Sequence, residues 1–224
     1  MALLGDLVAG ATVKIPENGV SASFRIGKHN YEGSGRTLLV RSTDHSKCVW
    51  PIAIYNAYLG SNVDLLANGS YLTTLPVDIQ NQITDVLIPY TPGKGDYTLN
   101  FVYRRGFILS ATEAGVGYPA YSDYVVPGLC NDEGAPVNCA GYCNSSPGSV
   151  TWTRSPASSA SVGVVWYDEE YKYGATLRGG AYSVNGYSQY AFRPAFTLPP
   201  EITVDSSNNV VLSKSYIPCS ERPI

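Results

Sequence analysis

Short runs that alternate apolar and polar residues fill the first part of the chain, and each is closed by a turn former. "ATVKI" (11–15) ends at Pro16, "SASFRIG" (21–27) follows Asn18-Gly19, and "RTLLVRS" (36–42) and "CVWPIAIY" (48–55) come next. Alternation over a few residues between Gly, Pro and Asn predicts strands of a meander or hairpins, with Asn18-Gly19 as the clearest turn. Between Asn62 and Ile83 the period changes, because Leu65, Leu66, Leu72, Leu75, Ile79 and Ile83 recur near helical spacing. That spacing predicts two short helices, with Asn62 as a cap, Pro76 dividing them and Gly69 weakening the first.

A strand follows at "TDVLIPY", then a turn at "TPGKGDY" and an apolar run at "RRGFILSATEAG", in which Ser110 to Gly115 forms a single helical turn. Residues 116–150 are rich in Gly, Pro, Asn and Ser and keep no period, so they read as one long loop, functional or pinned by crosslinks. Strands return at "SVTWTRS", "VGVVWYD", "GATLRG" and "YAFRPAFTL", before a polar hairpin-like end, "EITVDSSNNVVLSKSYI". No βαβ alternation and no solenoid repeat is present. The order predicts an α+β fold of small antiparallel sheets with two short helices and a large irregular loop region. One domain should span 1–224, with a core over about 5–204 and a terminal hairpin or tail over 205–224.

Composition narrows the partners. Charged residues make up 15% of the 224 positions and the formal net charge is -3. A nucleic-acid backbone or an anionic membrane needs a dense basic face, and 15 scattered Lys and Arg do not supply one. No run of about 18 apolar residues exists, so no membrane insertion is expected. The amino terminus lacks a basic leader and Asp6 interrupts its apolar run, so no secretory signal is visible. Cys48, Cys130, Cys139, Cys143 and Cys219 form an odd set. Cys130, Cys139 and Cys143 have no His near them to complete a common zinc set, and they read as a local disulfide or plain thiols.

Catalytic patterns are weak. His29 and His45 are the only histidines, both in turns near the start, and no nucleophile elbow or phosphate loop accompanies them. Glu113 with Asp123 or Asp132 is the one conceivable glycosidase pair. Asp168, Glu169 and Glu170 form the densest acidic cluster, but calcium needs oxygens from more than one segment, so they read as a solvated turn. Neither a metal nor a cofactor is expected.

The most distinctive stretch is "YKYGATLRGGAYSVNGYSQYAFRPAF" (171–196). Tyrosine brings large amphipathic area with only two side-chain torsions to fix, and Ser, Gly and Asn add adaptable hydrogen bonding, which is the alphabet of paratopes. Glycines 174, 179, 180 and 186 break the run into turns. The expected ligand-binding set is Tyr167, Asp168, Glu170, Tyr171, Tyr173, Tyr182, Ser183, Asn185, Tyr187 and Ser188. Tyr190, beside "FRPAF", instead reads as a strand residue that packs its ring. Trp152, Arg154, Pro156, Arg193 and Pro194 read as structural: proline sets a bend, and each arginine offers a planar fork of donors to loop carbonyls.

Three stretches, "GFILSATEAG" (106–115), "WTRSP" (152–156) and "FRPAF" (192–196), resemble in order a family of uncharacterised domains from prophages and gut-type Firmicutes. That family carries Phe-Leu-Leu-Ser, Trp-Leu-Arg-Ser-Pro and Val-Arg-Pro-Ala, so Thr153 and Phe192 are departures. The likeness extends to "LGDLVAGATVKI", "SNVDLL" and "VLIPYTPGKG". It implies a C-type lectin-like fold related to the variable proteins of diversity-generating retroelements, with residues 158–190 as the diversified region. It further implies a receptor-binding protein on a virion, as part of a phage tail, or on a bacterial cell surface, meeting a protein or glycan of a bacterium, with a homotrimer or phage tail proteins as assembly partners. The alternatives are a bacterial surface carbohydrate-binding module and a cell-wall-acting glycosidase.

Overall fold

The computed structural model describes residues 1–50, 57–90, 92, 98–110, 113–114, 150–158, 161–167, 177–183 and 189–211, with the backbone alone for 150, 156–158, 161–167 and 177–183. The strands are β1 (Ala2–Leu3), β2 (Thr12–Glu17), β3 (Val20–Lys28), β4 (Thr37–Arg41), β5 (Ser46–Val49), β6 (Val86–Tyr90), β7 (Asn100–Arg104), β8 (Gly106–Phe107), β9 (Val150–Ser158), β10 (Ser161–Tyr167), β11 (Leu177–Ser183), β12 (Gln189–Phe192), β13 (Ala195–Leu198), β14 (Thr203–Val204) and β15 (Val210–Val211). Helices α1 (Asn62–Leu65) and α2 (Val77–Gln82) lie between β5 and β6.

Two five-stranded sheets carry the fold, one ordered β2-β3-β4-β13-β8 and the other β11-β10-β9-β12-β5. A three-stranded sheet, β1-β14-β15, and the ribbon β6-β7 complete it. Among the described strands pairing is antiparallel except where β12 meets β9, with Ala191 opposite Thr151, and an isolated parallel bridge joins Lys14 to Asn209. The architecture is therefore mixed α+β, built of small, mostly antiparallel sheets with few helices. No described helix is long and apolar enough to cross a membrane.

Local signals account for the first sheet. The β2–β3 register closes with Glu17 opposite Val20, so Asn18 and Gly19 form a two-residue loop, with φ of 48° and 80°. Positive φ at both positions is what such a loop requires, and Asn and Gly tolerate it best. Alternation does the rest, since Val13 and Ile15 of β2 and Ala22, Phe24 and Ile26 of β3 are buried.

The helical segment departs from its expected form. Ser61, not Asn62, caps α1, its Oγ accepting the Asp64 amide at 3.1 Å. The chain then widens into a π turn over Leu66–Ser70, with the Tyr71 amide bonded to the Leu66 carbonyl at 3.0 Å, and tightens into a 3-10 turn over Leu72–Thr74. The wider turn shifts the phase of the apolar stripe. Leu65 is thus 63% exposed, while Val63, Ala67, Tyr71, Leu72, Leu75, Ile79 and Ile83 face the core. Pro76 does divide the segment, standing just ahead of α2.

The expected strand "YAFRPAFTL" is two strands in two sheets. β12 ends at Phe192, β13 begins at Ala195, and Arg193-Pro194 carries the chain from one five-stranded sheet to the other. The loop after β4 holds this crossover, because the Arg41 amide bonds the Pro194 carbonyl at 3.0 Å and the His45 amide bonds the Phe192 carbonyl at 2.9 Å. Aromatic rings pack within each five-stranded sheet: Phe24 of β3 meets Phe196 of β13 edge-on at 5.3 Å, and Trp50, just after β5, meets Trp152 of β9 at 5.3 Å. Tyr190 is half-buried and packs edge-on against Trp152 at 4.7 Å.

Candidate functional site

The tyrosine-bearing strands are rooted in a bulge at "WTRSP". Val162 of β10 faces Pro156 of β9, while Val164 faces Trp152, so the β9 residues 153–155 stand against Gly163 alone. Such an excess bends a strand and re-aims side chains. The Arg154 amide bonds the Leu109 carbonyl at 3.0 Å instead of joining the ladder to β10. Its side chain is fully buried. Nε donates to the Pro89 carbonyl at 2.9 Å and Nη1 to the Ile108 carbonyl at 2.7 Å, and Nη1 lies 2.6 Å from Glu113 Oε2.

Glu113 is equally enclosed. Its Oε1 accepts the Tyr31 hydroxyl at 2.7 Å and its Oε2 accepts the Ser110 amide at 2.8 Å, while Ser110 Oγ accepts the Glu113 amide at 3.1 Å. The last two bonds form the reciprocal capping arrangement of a Ser-x-x-Glu sequence. Burial opposes charge on Arg154, yet Glu113, with Tyr31 and Tyr58 adding to it, outweighs burial and holds the guanidinium's pKa above its ordinary value. Burial, and then the same carboxylate, push the Tyr31 phenol well above its usual range. With 1% of its surface exposed and both oxygens engaged, Glu113 is not presented to a glycan. Asp123 and Asp132, its candidate partners, lie outside the described residues.

Arg193 is fully buried at the crossover between sheets, and its Nε donates to Asp44 Oδ1 at 2.6 Å. Pro194 beside it is buried as well. A second cluster adjoins this point. Glu17 Oε1 accepts the Tyr71 hydroxyl at 2.7 Å, Arg41 Nε lies 3.0 Å from both carboxylate oxygens, and His45 Nδ1 lies 3.5 Å from Oε2. Sequence reading missed this group, although a signal existed: Val13, Ile15 and Glu17 share one face of β2, so a carboxylate on the apolar side needs a partner. His29 is also structural, its Nε2 donating to the Leu7 carbonyl at 2.7 Å and its Nδ1 lying 3.0 Å from Thr37 Oγ1.

Glu17 gives the cluster a pH dependence. Burial alone would raise its carboxyl, but bonds from His45 and Tyr71 and the Arg41 guanidinium outweigh burial and leave it lowered. A carboxyl depressed by folding contributes stability above its unfolded pKa of about 4.3, and that contribution is lost as pH falls through the folded value. Urea midpoints at pH 7 and pH 3 should therefore differ less for Glu17→Gln than for the unaltered protein. An equal difference in both would show that Glu17 takes no part in acid destabilisation.

The predicted ligand-binding residues fall into two groups. Tyr167 closes β10 opposite Leu177, whereas Tyr182 stands opposite Val162 and Ser183 opposite Ser161, at the other end of the β10–β11 pair. Five residues of β10 separate these places, about 16 Å at a rise of ~3.3 Å per residue. Asp168, Glu170, Tyr171 and Tyr173 belong to the connection that joins β10 to β11, and Asn185, Tyr187 and Ser188 to the one that leads from β11 to β12. Both connections lie outside the described residues. Chain order thus assigns one group to the tip of a hairpin and the other to its open end.

Comparison with known proteins finds no match among curated proteins and none among solved structures. A family described as a domain of unknown function (DUF6273) matches residues 34–200, which include both arginine motifs and the tyrosine-bearing strands, and the chain belongs to that family.

Proposed function

We propose that the chain is a ligand-binding protein that recognises a protein or glycan on a bacterial surface through tyrosine-rich connections on a C-type lectin-like scaffold. On this reading it serves as a receptor-binding component of a phage tail, with a sequence of the kind diversified by a retroelement. The observation that supports the reading is the contrast along one strand pair. β10 and β11 lead into segments rich in Tyr, Ser, Gly and Asn, while β9 carries buried Trp152 and Arg154 and β12 ends on buried Phe192, just ahead of buried Arg193. A paratope works best when adaptable side chains hang from strands that do not move, because less ordering entropy is lost on binding.

The two ends of the hairpin provide the test. A purified protein panned against whole bacteria should bind a subset of strains. Tyr171→Ala with Tyr173→Ala probes the tip, and Tyr182→Ala with Tyr187→Ala probes the open end. At least one pair should weaken binding about tenfold or more with an unchanged melting temperature, since truncated tyrosine anchors cost on the order of 1–2 kcal/mol each. If both double variants bind like the parent, recognition does not run through these tyrosines.

A further inference from the structure

The buried arginine of the "WTRSP" bulge is not fully satisfied by protein atoms. Among the described residues, Arg154 Nη2 and the Tyr58 hydroxyl are both buried and neither finds an acceptor for its proton, although the Ile108 backbone lies against the Tyr58 oxygen. Both side chains are fully enclosed. Ile108 links them, since its carbonyl accepts Arg154 Nη1 at 2.7 Å and its backbone also bonds Tyr58, so both orphaned donors lie beside one residue. Neither can satisfy the other, since they make no mutual bond and a guanidinium nitrogen has no lone pair to offer the phenol. Leaving two such donors unpaired would cost on the scale that makes orphaned buried groups rare. A third party with lone pairs is required.

Charge decides what that party is. Arg154 is balanced by Glu113 and Arg104 by Asp64, each pair in direct contact at 2.6 and 2.7 Å. An added anion would leave a net negative charge in a buried site, which is strongly disfavoured. The ligand must be neutral, small and able both to accept and to donate. We infer that a single buried water molecule occupies a site between Arg154 Nη2 and Tyr58 Oη as a permanent part of the fold. Its oxygen accepts from both groups. Its hydrogens go to backbone carbonyls beside the arginine, where those of Pro89 and Ile108 each accept one bond from Arg154 and carry a second lone pair. The site ties Tyr58, ahead of α1, to β6, to β9 and to Ile108 just after β8, and it stands independently of the proposed ligand recognition.

A crystal structure at a resolution that defines waters, from crystals grown in bromide, should show one ordered water within hydrogen-bonding distance of both atoms and no anomalous bromide peak there. Water-oxygen magnetic relaxation dispersion should count one fewer long-residence water in Tyr58→Phe than in the parent. A bromide peak, a direct Arg154–Tyr58 bond, an empty gap, or an unchanged count in Tyr58→Phe would each overturn the assignment. The crystallographic readout uses the unaltered protein, so it stands even where the variant folds poorly.

Discussion

Arg154→Ala should lower stability by about 3–5 kcal/mol, the usual cost of removing one partner from a buried ion pair. The size follows from what stays behind. Glu113, 1% exposed, would keep its bonds from Tyr31 and Ser110 but lose the cation that offsets its burial, and the Pro89 and Ile108 carbonyls would lose their donors. Domains hold only about 5–15 kcal/mol in total, so the variant would be marginal at 37 °C. In a chain of this length the melting temperature should fall by roughly 6–20 °C, at 2–4 °C per kcal/mol. The companion experiment separates charge from packing. Arg154→Met combined with Glu113→Gln removes both charges and should recover part of the loss, since a neutral pair leaves no uncompensated ion. A double variant as unstable as the sum of its single ones would place the effect in packing alone.

Gly106→Ala should be the other severe substitution. A Cβ built at Gly106 would stand 2.1 Å from the Ala67 carbonyl oxygen, 3.0 Å from its carbon and 3.1 Å from Leu72 Cδ2. The first two are backbone atoms, so no rotamer change relieves the clash. Either β8 must leave β13, with which Gly106 pairs at Phe196, or the π turn must give way. Overpacking costs about 1–3 kcal/mol where side chains can adjust, and here the loss should reach or exceed the top of that range. Gly69→Ala in the same turn is the control, because nothing lies within 4 Å of its Cβ position. It should be neutral or stabilising by about 0.4–1 kcal/mol through the unfolded chain. Equal urea midpoints for the two variants would mean that the close approach at Gly106 does not constrain the fold.

Both variants bear on recognition, because Arg154 and Gly106 support the strands from which the tyrosine segments depart. β8 pairs with β13, and β13 continues from β12 through Arg193 and Pro194. Loss of binding in a destabilised Arg154 variant would therefore not assign Arg154 to the ligand. Loss in a tyrosine variant that melts like the parent would assign the tyrosines.

What the sequence determined by itself is local. Asn18-Gly19 dictated a hairpin because only certain residues accept positive φ, and Pro76 divided the helical segment because proline cannot continue it. Alternation placed Val13, Ile15, Phe24 and Ile26 on the inner face, since a strand turns each side chain over at the next residue. The proline and arginine motifs marked the bend at 193–194, but not that the bend passes the chain between two sheets. Only the tertiary structure decided that Glu113 meets Arg154 and Tyr31, that Glu17 meets Arg41, Tyr71 and His45, and that Leu65 faces outward while Ala67 faces inward. The reason is physical: backbone preferences and periodicity act over a few residues, whereas the partner of a buried charge is whichever distant group the packing of the sheets brings alongside it.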